Sequence, residues 1–335
     1  MNWRAKKLSA ALLFGALIAA ESAHADNFLL VANKGDRTLS IINPETGVQL
    51  AAVPEDGVTG HEVVASADGR RAFVPIFGNS GVGKPGTDGS LIRVVDLAEG
   101  KICGTVDFKC GIRPHCVVIG PKDKLLYVTT ELSNCVTVID PATLKITGTI
   151  PTGQAESHML AISADGKRGY TANVGPGTVS VLDLVEKKTI KIIPVGKTTQ
   201  RISITPDDKW VFTADQKQPR LAVIDAAKNE VVNWIELPGA GYGTAVTPDG
   251  KSLIVCLHKL QQVGLVDLQT LKLAKTVDVP KSPQEVLIPP DGQRAFVSCD
   301  ASQKIAVIEM KNFTVEKLIA AGKGADGLAW ATTTK

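Results

Sequence analysis

The chain is poor in aromatic residues, which make up 4% of it, and it has only three methionines and five histidines. So few rings argue against a large cofactor held by stacking. One-signed charge is missing too. There are 37 Lys and Arg against 34 Asp and Glu, a formal +3, which excludes an electrostatic nucleic-acid binder. There is no Gly-x-Ser-x-Gly, no His-Glu-x-x-His and no Cys-x-x-Cys-His, so the common serine-hydrolase, zinc-protease and c-type haem signatures are absent. No helical periodicity runs through the chain. With 44% hydrophobic and 21% charged residues, disordered, collagen-like and coiled-coil classes are excluded.

The only long apolar run is residues 8–20. Arg4, Lys6 and Lys7 precede it and Ala23-His24-Ala25 follows it. This layout predicts a secretory signal peptide over 1–25, cut before Asp26. Its removal takes three basic residues and one acidic residue (Glu21), leaving 34 against 33, or +1. The expected product is one domain over 26–335, periplasmic or secreted, with no membrane attachment after cleavage. Six cysteines lie in it: Cys103, Cys110, Cys116, Cys135, Cys256 and Cys299. Export permits disulfides. One or two at most are expected, with Cys110–Cys135 the candidate pair, and Cys256 and Cys299 read as buried thiols.

A repeat decides the architecture. An alternating β-branched strand ending in an acid or amide recurs seven times, ending at Asn43, Asp96, Asp140, Asp183, Asp225, Asp267 and Glu309. The intervals are 53, 44, 43, 42, 42 and 42 residues. A second line of turns carries Asp68-Gly69, Asp165-Gly166, Asp207-Asp208, Asp249-Gly250 and Asp291-Gly292, with Lys122-Asp123 in one copy. Such dipeptides suit tight turns between antiparallel strands. Each unit therefore holds four strands, A to D from inner to outer; in the third copy they fall near 115–119, 125–130, 135–139 and 145–150. About 42 residues with four strands and no helix is a propeller blade. The domain begins with strands B, C and D, near 28–53, and ends with a lone A strand near 326–331. The C-terminal strand should therefore join the N-terminal blade and close a seven-bladed, all-β propeller.

The strand-B segments Leu126-Tyr127-Val128-Thr129-Thr130, Gly169-Tyr170-Thr171-Ala172-Asn173 and Ala295-Phe296-Val297-Ser298-Cys299, with the stretch at 138–145, resemble the Tyr-Val-Thr-Asn repeat. The domain as a whole resembles YVTN-type seven-bladed propeller proteins. That wider group includes surface-layer proteins, lactonases, a streptogramin-cleaving lyase, amine dehydrogenase subunits and the haem-binding propeller of periplasmic nitrite reductases. The resemblance implies the fold and leaves the chemistry open.

Propellers bind ligands at one mouth of the central channel. Counting seven residues back from each turn Asp, or from Lys122 in the copy that carries Lys122-Asp123, gives the first residue of each A strand: His61, His115, His158, Gln200, Tyr242 and Gln284, with Asp326 on the last strand. Three of the four histidines outside the leader thus share equivalent positions on consecutive blades. Converging neutral imidazoles bind zinc, copper, iron or nickel and leave a position open, so these three are the candidate metal ligands; haem ranks lower. The fourth, His258, sits in a B–C loop on the same rim. An insertion over 78–90 lengthens another B–C loop there and is placed to act as a lid. Its Gly78-x4-Gly83-Lys84 falls short of a nucleotide loop, because Pro85 replaces Ser or Thr and no helix follows. Arg113 and Arg201 suit a carboxylate or phosphate, and Glu156 is the candidate general base. Glu62, Arg201 and Glu285 follow their ring positions by one and are placed either to orient the histidines or to pair with each other between blades. Gln200, Tyr242, Gln284, Asp326 and His258 complete the candidate substrate contacts. Two functions follow: a metal-dependent hydrolase of lactones or esters, or a lyase, acting on a small anionic molecule; or a non-catalytic periplasmic propeller serving as scaffold, solute binder or accessory of a redox system, with a protein partner. A self-contained ring of this size is expected to be a monomer.

Overall fold

In the computed structural model, residues 26–79 and 81–333 are described; the leader expected over 1–25 lies outside them. Seven four-stranded antiparallel sheets form a ring. The expected seven-bladed, all-β propeller is what the chain adopts. The third blade has strands Pro114–Ile119, Leu126–Thr130, Cys135–Asp140 and Lys145–Pro151, each within two residues of the expected bounds.

The two repeated turns explain the two sequence lines. At the C–D turn, the terminal acid accepts hydrogen bonds from the amides two and three residues on. Asp140 takes those of Ala142 and Thr143, Asp183 those of Val185 and Glu186, and Asp225 those of Ala227 and Lys228. Four residues after each acid the backbone turns left-handed, at Gly47, Gly100, Leu144, Lys187, Asn229, Leu271 and Phe313. At the A–B turn, Asp165, Asp207 and Asp249 each accept from the hydroxyl two residues before and the amide two residues after.

The core lies between blades. Phe212, Leu221 and Val223 of the fifth blade pack against Leu253, Val255 and Val266 of the sixth. Similar clusters fill the other seams, mostly with Val, Ile, Leu and Ala, so few aromatics are needed. Cys256 and Cys299 are buried in one seam, as expected. The candidate disulfide is not formed. All six cysteines are free, with the Cys110 thiol directed at the Phe108 carbonyl and the Cys135 thiol at the Thr130 hydroxyl.

The ring closes as the sequence predicts. Ala325–Thr333 is the inner strand of the blade whose other strands are Asp26–Asn33, Thr38–Ile42 and Gln49–Pro54. It pairs Leu328 with Val31, Ala329 with Leu30 and Trp330 with Leu29. Leu29, Leu30 and Val31 are fully buried. Each such side chain contributes about 1.5–3 kcal/mol, so the three rival much of a domain's ~5–15 kcal/mol. Truncation after Gly324 should therefore abolish cooperative folding, seen as loss of the near-ultraviolet dichroism and of a sharp melting transition.

Candidate functional site

The entry residues of the A strands gather at the channel mouth, and all but Gln284 line it. Arg113 (φ 52°) and Glu156 (φ 54°) hold left-handed conformations two residues before His115 and His158. The A–B pairing then slips between Pro114 and Val117, and between Ser157 and Met159. Such bulges re-aim single side chains and turn both imidazoles into the channel.

Six of the seven ring residues line one cavity of about 180 Å3: the three histidines, Gln200, Tyr242 and Asp326. Gln284 does not; its amide bonds Asp300 at 3.0 Å. His258 lies outside as well, against Tyr242 (ring centroids 5.5 Å apart) and the Pro283 carbonyl. Glu156 also faces elsewhere. It lines a separate groove against the 81–88 loop with Lys84, Pro85 and Glu131, and is not among the residues that line the histidine cavity.

The histidines meet, but not as the expected metal triad. His115 and His158 stack with centroids 3.5 Å apart and planes at 30°, while His61 stands edge-on to His115 at 5.4 Å. A metal lies near the plane of each imidazole that binds it, at ~2 Å; two nearly parallel rings at stacking distance cannot both satisfy that for one ion. Among the described residues, no group of three or more His, Cys, Asp or Glu has a metal-binding arrangement. Phe77, which sequence reasoning missed, wedges among them, 4.8 Å from His61 and 5.1 Å from His115.

All three imidazoles are held neutral. Burial lowers His61 to about 4, and burial followed by neighbouring positive charge holds His115 and His158 well below the usual imidazole value. Hydrogen bonds fix one tautomer. Gln216 donates to the Gln200 side-chain oxygen, so the Gln200 amide nitrogen donates to His158 Nε2 at 2.9 Å. His158 therefore carries its proton on Nδ1. That Nδ1 and the Nδ1 of His115 are buried with no partner.

Below the histidines, Arg201 spans the channel. Its guanidinium meets Glu62 at 2.7 Å, Glu285 at 3.2 Å and Asp326 at 2.9 Å. This is the pairing between blades that the sequence suggested, and it consumes the charge offered to an anionic ligand. Burial works against the charged guanidinium, yet the three carboxylates hold it protonated. For Asp326, burial raises the pKa, but Arg201 and Lys34 outweigh it and keep the carboxylate ionised. Glu62 and Glu285 go the other way: burial raises both, and they face each other across one nitrogen of Arg201. Lys34, also missed, lines the cavity and bridges Asp300 and Asp326 at 3.2 and 3.1 Å. It lies in a B–C loop, the rim on which the insertion and His258 drew notice.

Arg113 is spent on the insertion. It bonds Asp88 at 2.6 Å, the Lys84 carbonyl at 2.6 Å and Glu131 at 3.0 Å. Gly81 and Val82 of that loop complete the cavity wall.

The match to known proteins covers most of this channel. The chain belongs to the cytochrome D1 heme domain family, whose model matches residues 119–331. The match includes His158, Arg201, Tyr242 and Asp326 and leaves out His61 and His115. Among solved structures, the chain is similar to Kuenenia stuttgartiensis hydrazine synthase, at 18% identity over 81% of this chain and 89% of that one, with a TM-score of 0.69. It is also similar to a functionally unknown protein from Desulfotomaculum acetoxidans DSM 771, at 16% over 91% and 99%, with a TM-score of 0.76. A third is the dihydro-heme d1 dehydrogenase NirN in complex with DHE, at 14% over 90% and 75%, with a TM-score of 0.66. At these identities the likeness shows the fold alone. No curated protein matches the chain.

Two outcomes follow from these charges. Arg201→Met leaves buried Glu62 and Glu285 without their cation and Asp326 with Lys34 alone, and should cost about 3–5 kcal/mol, read as a fall in denaturant midpoint. Neutral buried histidines bind fewer protons than they do when unfolded, so their stabilisation is present above pH ~6.5 and is lost as pH falls toward 4. Glu62 and Glu285 oppose this, since their raised values favour the folded state on acidification. The His61→Ala, His115→Ala, His158→Ala triple variant should therefore lose less stability than the parent between pH 7 and 4, in melting curves run side by side.

Proposed function

We propose that this protein is an exported, periplasmic accessory of a haem or redox system, and that it holds a haem-class tetrapyrrole at the histidine mouth of the propeller. The observation that carries this reading is the heme-domain family match on a chain whose channel mouth presents neutral imidazoles with unpartnered nitrogens. The donor chemistry fits such a group. Neutral nitrogens of His61 and His115 suit an iron, and the His158 Nδ1–H offers a hydrogen bond to a ligand. Phe77 and Val82 shield the mouth from water. When bound, a haem supplies an iron centre that exchanges electrons and takes small ligands. The cavity as it stands is smaller than the ~300–1,000 Å3 of sites for drug-sized ligands, so the fit requires the 81–88 loop to move.

The same family match favours redox association over lactone or ester hydrolysis or a lyase reaction. The stacked histidines and the outward Glu156 give those chemistries neither a metal triad nor a base. The YVTN-like strands are then the shared blade pattern of a wider propeller group. A second reading has one observation of its own: the small cavity volume favours an accessory propeller that takes only a small molecule and acts through a protein partner.

Mature apoprotein from the exported fraction should bind hemin one to one, with a shifted Soret band, and the triple His→Ala variant should bind at least roughly tenfold more weakly, as expected for lost iron ligands and their supports. Absence of any Soret shift in a folded parent would discard the haem reading in favour of the second one.

A further inference from the structure

We propose that residues 81–88 form a gate over the histidine cavity and that Arg113 is its latch. The inference rests on the reading of the cavity as a ligand site. Other blades join strands B and C by short loops; here the connection between Arg71–Gly78 and Asp88–Asp96 arches over the mouth, and Gly81 and Val82 are part of the cavity wall. The third blade supplies a fixed anchor. Arg113 and Glu131 are both buried, their side chains 4% and 1% exposed, and bond each other at 3.0 Å. Onto this anchor the loop hooks three groups of its own: the Asp88 carboxylate, the Lys84 carbonyl and the Gly83 amide, which donates to Glu131 at 3.1 Å. At its base, Asn79 and Thr87 tie the two arms together, the Thr87 amide donating to Asn79 at 2.8 Å.

Apart from Val82, which is half-buried, residues 81–88 are exposed. The loop is held shut by polar bonds and by almost no apolar burial. Opening it breaks contacts that water can replace, which is how low-stability segments over binding sites are built. The latch is a positioning device, since Arg113 does not line the cavity. Gly83 marks the closed seat. Its φ is +65°, and a Cβ there would run into the Glu156 carboxylate, which also fills the space beside Gly175.

The test reads the cavity histidines directly. The mature protein is treated with diethyl pyrocarbonate, and modification of His61, His115 and His158 is followed by peptide mass spectrometry, with His258, outside the cavity, as internal reference. Two variants open the gate by different routes. Asp88→Asn removes a charged latch partner while keeping its shape; Gly83→Ala disfavours the closed seat. Melting curves establish that each variant is folded; should one fail to fold, the other carries the test. Relative to His258, the three cavity histidines should react roughly tenfold faster in the variants, the scale of one lost charge-assisted hydrogen bond, and hemin should associate faster by a similar factor. Equal modification rates in parent and folded variants would overturn the gate, whatever hemin does. Faster modification without hemin binding in any form keeps the gate and removes the haem reading instead.

Discussion

One guanidinium holds the channel together. Arg201 enters from the fifth blade and meets carboxylates from the second, seventh and first blades. Neighbouring blades otherwise meet mainly through apolar seams, which are non-directional, with hydrogen bonds such as Ser203 to Thr244 between them. Ion pairs across the axis set the blades' relative positions at a single point. Burying so much charge carries a desolvation cost that the attraction scarcely exceeds. The return is geometric: the entry residues of the inner strands converge at a fixed spacing, and the cavity above inherits that spacing.

The histidines depend on the same arrangement. Their burial disfavours the protonated ring, and the positive charge of Arg201 adds to this at His115 and His158. A neutral imidazole is a ligand and a hydrogen-bonding group; a protonated one at this place would repel Arg201 and Lys34. The propeller mouth is therefore a basic-nitrogen site by electrostatic construction. Family membership gives such a site a chemical context, and the loop across it sets its size.

Much of this was legible in the sequence, because a repeat converts position into place. The acid ending each strand C and the Asp of each A–B turn have one backbone task, repeated around the ring, so counting from them finds the entry residues. His61, His115, His158 and Asp326 could be put at one mouth in this way. Register says which residues arrive together, but not how their rings lie or which neighbour claims a charge. The stacking of His115 on His158, the outward turn of Glu156 and the capture of Arg113 by Asp88 arise from contacts between blades and from an insertion with no counterpart in the repeat. Phe77 and Lys34 escaped for the same reason: they belong to B–C connections, where the repeat is weakest. The disulfide expectation failed on a related point. Sharing a rim brings two cysteines to one end of the molecule, while a bond requires their Cα atoms within ~7 Å and their side chains facing.

The closing strand has a further consequence for the order of assembly. Asp326 is a member of the cavity and a partner of Arg201, yet it is carried by the last strand of the chain, which pairs with the first. Contacts between opposite ends of a sequence are the slowest kind to form. Until that strand docks, the mouth lacks one wall and the axis one of its carboxylates. The mouth is therefore complete only in the closed ring. A ligand that engages the finished mouth favours the closed ring over every open precursor, and so acts on the chain's folding equilibrium as well as on its function.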